Sequence, residues 1–214
     1  MVWRMATREW DLRTRPTLET PRLRLEPWAD AHFECFAAFM RDLDVIRWVR
    51  RAPLDRDRAL ELHERSLAEW DLYGFGKRAI IERETERWLG FAEISLVGPG
   101  KGSRDDDIEI GYFIEPGRWG EGIATEAALE LRDEAFGRCA LSELVGRCRV
   151  ENVASARVLA KVGFRLLRLF ELDDGILVEI HRLQRAHWTP PRGHRSTLVR
   201  ESGPATGAEY RETG

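Results

Sequence analysis

The sequence predicts an α/β domain built on a mixed sheet. Three observations carry this. Apolar residues alternate at period 2 in several short runs, as in "RLRLEPW" (22–28), where Leu23 and Leu25 share a face. Between these runs lie segments of helical period with cap residues at their ends. The chain has 214 residues, 43% of them hydrophobic and 33% charged, enough for one compact core with polar ends.

In order, residues 1–20 are polar and arginine-rich, read as an N-terminal arm, and strand 22–28 follows. "ADAHFECFAAFMRD" (29–42) spaces Phe33, Phe36, Ala37 and Met40 as a helix does. Residues 55–74 form a second amphipathic helix, with Asp55 as N-cap and Gly74 as its stop. Residues 77–84 and 88–97 read as a hairpin turning at Thr85-Glu86. A turn-rich loop (98–107) leads to strand 107–115, helix 121–137, strand 142–150 and a short helix 152–163. Residues 164–172 and 176–183 close the domain as a hairpin over Asp173-Asp174-Gly175. The domain is therefore expected over 21–183, and 184–214 reads as a Pro/Gly/Arg-rich, flexible C-terminal tail.

Composition narrows the function classes. A formal net charge of −3 offers no basic field for nucleic acid, and no apolar run reaches the ~18 residues of a membrane span. The N-terminus lacks the apolar core of a signal peptide, and Cys35, Cys139 and Cys148 are odd in number, so the expectation is a cytoplasmic protein with reduced cysteines that pack. None of the five histidines has ligand spacing, and Asp105-Asp106-Asp107 reads as a solvated loop, so no metal is expected.

The most informative stretch is "RWGEGIATEA" (118–127), a glycine-bearing loop that enters a helix from the end of a strand. The first amides of a helix lack partners and the dipole adds about half a positive charge there, so such a loop can hold an anion. A turn that merely caps a helix has the same appearance. Neither a dinucleotide fingerprint nor a phosphate loop ending in Gly-Lys-Ser/Thr is present.

"TPRLRLEPW" (20–28), "IEIGYFIEPGRWGEGIATEA" (108–127) and "VENVASARVLAKVGF" (150–164), with the element order between them, resemble the GCN5-related N-acetyltransferases (GNAT). The resemblance covers about three quarters of the chain. It is nearest to the branch of ribosomal-protein N-terminal (alanine/serine) acetyltransferases. It implies a GNAT fold: a mixed, mostly antiparallel seven-stranded sheet with about four helices and strands splayed around a coenzyme A site. It also implies that the amides of Trp119, Gly120, Glu121, Gly122, Ile123, Ala124 and Thr125 hold the pyrophosphate of acetyl-CoA. Trp119 stands where the family usually has Gln or Arg, which leaves anion binding to the main chain. The backbone of Tyr112, Phe113 and Ile114 is implied to pair with the pantetheine arm as an extra strand.

Asn152 and Ser155 open the last helix, and an N-cap followed by a first-turn serine explains them structurally. The resemblance gives them a second role: Asn152 bonds the arm and Ser155 donates to the leaving thiolate. Arg157 and Lys161 either reach the cofactor's phosphates or are solvated helix charges. Amine acylation requires a neutral amine, so a base is needed, and a carboxylate can serve through water. Glu109 and Glu93, on neighbouring strands, are the candidates, with Glu179 a weaker one; Tyr112 is a candidate proton donor. Each can equally be a strand residue with no catalytic part. Trp48, Trp70 and Tyr73 either line the acceptor site or pack in the core.

The resemblance thus implies an acetyl-CoA-dependent N-acetyltransferase that moves acetyl directly to a primary amine, with a protein N-terminus as first acceptor. A small amine (an amino acid, a polyamine or an antibiotic) is the alternative acceptor, and a non-catalytic acyl-CoA sensor the alternative class. The implied partners are acetyl-CoA and the amine; a homodimer stays open.

Overall fold

The structure is a computed structural model that describes residues 14–48, 52–98, 102, 104 and 107–191. Most of the arm (1–13), the distal tail (192–214) and the Asp105-Asp106 pair lie outside the described residues. Eight strands form one sheet in the order β1-β2-β3-β4-β5-β6-β8-β7. They are β1 (Leu18–Glu19), β2 (Leu23–Pro27), β3 (Lys77–Glu82), β4 (Trp88–Leu96), β5 (Ile108–Ile114), β6 (Glu143–Arg149), β7 (Arg165–Glu171) and β8 (Leu177–Gln184). Every neighbouring pair is antiparallel except β5–β6. Five α-helices, α1 (Phe33–Phe39), α2 (Leu43–Ile46), α3 (Arg56–Tyr73), α4 (Ile123–Phe136) and α5 (Val153–Val162), cover its two faces.

The mixed sheet agrees with expectation, and the eighth strand is β1, a two-residue addition from the segment read as an arm. The segment expected as one helix over 29–42 is a 3-10 turn (Asp30–His32) followed by α1, which stops at Phe39 because Met40 leaves helical geometry with ψ at 0°. The Asp42 side chain then accepts the Asp44 amide (2.8 Å) and starts α2. Asp55 caps α3 through the Arg58 amide (2.8 Å), and Gly74 ends it in the left-handed region at φ 69°, as the sequence suggests.

Alternation along the strands splits the core in two. One face carries Leu23, Leu25, Ile80, Ile94, Ile110 and Leu144 against α4 and α5. The other carries Ala79, Ile81 and Phe91 against Trp28, Phe36, Phe39 and Trp70 from the α1–α3 side. The first face also holds a fully buried ion pair: Arg78 grips Glu134 of α4 with two hydrogen bonds, and the Arg78 guanidinium also donates to the carbonyls of Pro16 (2.7 Å) and Leu25 (3.3 Å). The domain continues past Leu183. β8 includes Gln184, and Trp188 donates its indole N–H to Asp133 (2.6 Å) beside the Phe136 ring.

What positions a site is the junction of β5 and β6. These parallel strands meet only at Glu109 and Val145. Beyond that point they diverge, and the C-terminal half of β5 has a ladder partner only in β4. The sheet therefore contains an internal edge whose backbone groups face a gap.

Candidate functional site

A cleft of about 860 Å³ runs through this gap and reaches both faces of the sheet. On the α4–α5 side it is bordered by Gly120, Gly122, Asn152 and Ser155; on the α1–α3 side by Trp48, Glu69 and Glu93.

The loop 118–122 is shaped by two glycines in the left-handed region, Gly120 (φ 86°) and Gly122 (φ 82°). Gly122 is the N-cap of α4, whose first backbone bond runs from the Glu126 amide to the Gly122 carbonyl (3.0 Å). The amides of Ile123, Ala124 and Thr125 precede it and have no carbonyl a turn earlier. The Trp119 indole donates to the Ile114 carbonyl (2.7 Å), so this side chain closes the end of the internal edge. The Ile114 carbonyl is thereby already engaged, and since Phe113 faces Phe91 of β4 in a hydrogen-bonded pair, the edge on offer centres on Tyr112.

The two acids of the loop are both engaged away from the amides. Glu121 accepts the Arg118 Nε on both oxygens (2.9 and 3.0 Å). Glu126 accepts the Thr20 hydroxyl, the Arg22 amide (3.0 Å) and the Arg22 guanidinium (2.7 Å). Burial raises the Glu126 pKa, but these bonds outweigh it and hold the group below its ordinary value. Arg22 also donates to the Glu121 carbonyl (3.0 Å), which sets a half-exposed guanidinium beside the loop. Sequence reasoning missed this cation, because its partners lie about a hundred residues away.

Deeper in the gap, the Tyr112 hydroxyl lies 2.9 Å from Ser155 Oγ and donates to the Ser155 carbonyl (3.0 Å). Burial raises the Tyr112 pKa further above its ordinary value, so it stays a phenol at physiological pH. Asn152 caps α5 with its side-chain oxygen on the Ser155 amide (3.1 Å), which orients Ser155. Its NH₂ group takes no part in that bond. Arg157 and Lys161 also border the cleft.

Register places the two candidate bases on the opposite face. Glu93 pairs with Gly111, so its side chain lies on the α1–α3 side with Phe91 and Phe113. Gly111 makes room for it: a Cβ there would stand 3.3 Å from Glu93 Oε1. The other oxygen lies 3.7 Å from the Lys77 ammonium, which is buried among the rings of Trp28, Phe36 and Phe91. Burial lowers the Lys77 pKa, with Glu93 opposing. Glu109 is gripped by Arg147 through both carboxylate oxygens. Of the expected acceptor-side aromatics, Trp48 borders the cleft, whereas Trp70 is buried with its indole on the Lys77 carbonyl and Tyr73 stacks on Phe75 in the core.

A splayed parallel pair, a helix entrance with unpaired first-turn amides and a cleft through the sheet together form the candidate site. Residues 22–165 match the family model of the acetyltransferase (GNAT) domain. The chain belongs to the GNAT acetyltransferase family. It is an acetyl-CoA-dependent enzyme of the N-acetyltransferase type. The FsC-acetyl coenzyme A-N(2)-transacetylase of Aspergillus fumigatus is 30% identical over 172 residues, covering 74% of this chain and 69% of that protein. The crystal structure of an acetyltransferase from Agrobacterium tumefaciens is 32% identical with a TM-score of 0.67, over 80% of this chain and 95% of that one. The spermidine N-acetyltransferase of Vibrio cholerae, in complex with CoA and spermine, shares the fold at 14% identity and a TM-score of 0.64, over 78% and 98%. Among the described residues no helix is long and apolar enough to cross a membrane.

Proposed function

We propose that this enzyme transfers acetyl directly from acetyl-CoA to a primary amine across the β5–β6 gap, with a protein N-terminus as first acceptor. The observation that carries this is the single cleft with Tyr112 and Ser155 on one side of the sheet and Glu93 on the other. The residues fit acetyl-CoA: the amides of Ile123, Ala124 and Thr125 precede the first backbone bond of α4 and suit its pyrophosphate. The edge at Tyr112 takes the extended arm as a strand. Asn152 bonds that arm, and Arg157 lies along the same wall.

The chain's chemistry is then proton handling. Glu93 takes the proton from the amine, through water where the acceptor is short, because one of its oxygens overlies Gly111 at the gap. Glu109 serves structure instead, since Arg147 occupies both its oxygens. Ser155 donates a hydrogen bond from its hydroxyl to the departing thiolate, and the Tyr112 hydroxyl, 2.9 Å from Oγ and bonded to the Ser155 carbonyl, holds it in place. Glu69 and Glu109 are paired with Arg65 and Arg147, so Glu93, 3.7 Å from Lys77, is the carboxylate left to meet the amine, while Trp48 and Met40 suit an apolar neighbour of it. A polyamine, as in the name of the V. cholerae relative, is the alternative acceptor.

The test is thiol release from acetyl-CoA with a panel of N-terminal peptides, amino acids and polyamines. Release with peptides first supports the proposal; release only with polyamines transfers it to that class. Tight acetyl-CoA binding without release by any member overturns it.

A further inference from the structure

Cys148, Glu179 and His181 have no place in the mechanism above, yet they converge. Cys148 on β6 and Glu179 on β8 are cross-strand partners, and His181 lies two residues further along the same face of β8. The Cys148 thiol donates to Glu179 Oε2 (3.7 Å), and His181 Nε2 lies 2.7 Å from that same oxygen. One ligand atom from each residue lies within 4.8 Å of the others. His181 is 94% buried, and among the described residues its Nδ1 has no hydrogen-bond partner while Nε2 meets Glu179. Two donors thus share one carboxylate oxygen while a buried ring nitrogen has none.

We propose that Cys148, Glu179 and His181 form a three-ligand site for a borderline-soft divalent cation, with Zn²⁺ the best match. Thiolate, imidazole and carboxylate are its common ligands. Tetrahedral bonds of about 2.0–2.3 Å put ligand atoms roughly 3.3–3.6 Å apart. The sulfur–oxygen distance of 3.7 Å is already close to that, and the nitrogen–oxygen distance of 2.7 Å has to open by about half an ångström. Three protein ligands leave a fourth position. Cys148 borders the main cleft with Ser155, so that position faces the thiol end of the proposed acetyl-CoA site, a consequence that rests on that reading.

Binding has a proton cost. A thiol ligates such an ion as thiolate, so the ion displaces the Cys148 proton into solvent, the imidazole proton shifts from Nε2 to Nδ1, and affinity rises with pH. No local spacing announces such a site, because its ligands come from two strands 31 residues apart.

The experiment uses the full chain free of CoA, with Cys35→Ser and Cys139→Ser, so that Cys148 is the remaining thiol. It is titrated with Co²⁺ alone. The expected result is a thiolate-to-cobalt charge-transfer band saturating at one ion per chain, displaced by Zn²⁺, with release of one proton per ion. Adding Cys148→Ser should abolish the band, and His181→Ala should weaken Co²⁺ binding at least ~10-fold. Circular dichroism checks that each variant is folded. Absence of the band in the folded Cys148 protein, or its survival in Cys148→Ser, overturns the site. Neither result depends on acetyl transfer, so a failure here is distinct from a failure of the proposed function.

Discussion

Gly122→Ala tests the anion loop through a single added methyl group. Gly122 sits at φ 82° as the N-cap of α4. A Cβ there meets only Arg22 Nη2 at 3.6 Å, an ordinary contact, so steric clash is not the issue. The cost is the left-handed backbone, roughly 1–2 kcal/mol for a residue with a Cβ. In the free protein an exposed loop can relax out of that conformation. Binding has to restore it, because the proposed anion loop uses the amides in that conformation. The strain therefore appears in the dissociation constant, about 5–30-fold at 1.4 kcal/mol per factor of ten. Isothermal titration with CoA measures it. Two controls isolate the cause: Gly117→Ala, whose added Cβ meets nothing within 4 Å, and Glu121→Gln, whose side chain is turned to Arg118. Both should bind CoA within about twofold of wild type. A folded Gly122→Ala protein with wild-type affinity refutes the loop argument, as does an equal loss in Glu121→Gln.

Ser155→Ala should lower kcat by about 10²–10³ while the KM for acetyl-CoA barely moves, because the hydroxyl acts on the leaving thiolate; steady-state kinetics decides it. Glu134→Ala strands the fully buried Arg78 and should cost about 3–5 kcal/mol, a fall in Tm of ~6–20 °C by calorimetry. Glu82 is held down at about 2 by hydrogen bonds from Arg118 and Thr85. Its folded pKa is below its unfolded one, so its stabilising effect is complete above about pH 5 and disappears as the pH falls towards 2. Glu82→Gln should therefore flatten the dependence of Tm on pH between 5 and 2 and leave it unchanged above 6.

What the sequence made legible has local signatures. The caps at Asp55 and Gly74, the alternation of β4 and β5 and the glycine loop before α4 depend on residues a few positions apart, and each lies where its pattern suggested. The illegible features depend on register between distant strands. β1 is two residues long, too short to show a period. Nothing near Glu109 reveals that Arg147, on the one strand parallel to its own, takes both its oxygens. Nor does anything near Glu93 reveal that Gly111 lies opposite it. The two carboxylates look equivalent in sequence, and only the sheet order separates them. Glu126 lies in the first turn of α4, and nothing near it in sequence reveals that it holds the Thr20–Arg22 turn against that helix. The convergence of Cys148, Glu179 and His181 is invisible for the same reason.

The central claim is that an amine on the Glu93 side of the sheet attacks a thioester held between β5 and β6. The most direct test is the rate of amine-dependent thiol release by wild type and Glu93→Gln, with the best acceptor of the panel at saturating acetyl-CoA. The claim expects kcat to fall by about 10²–10⁴ in Glu93→Gln, with the loss narrowing as rising pH deprotonates the amine without help. Wild-type turnover in folded Glu93→Gln at neutral pH would contradict it.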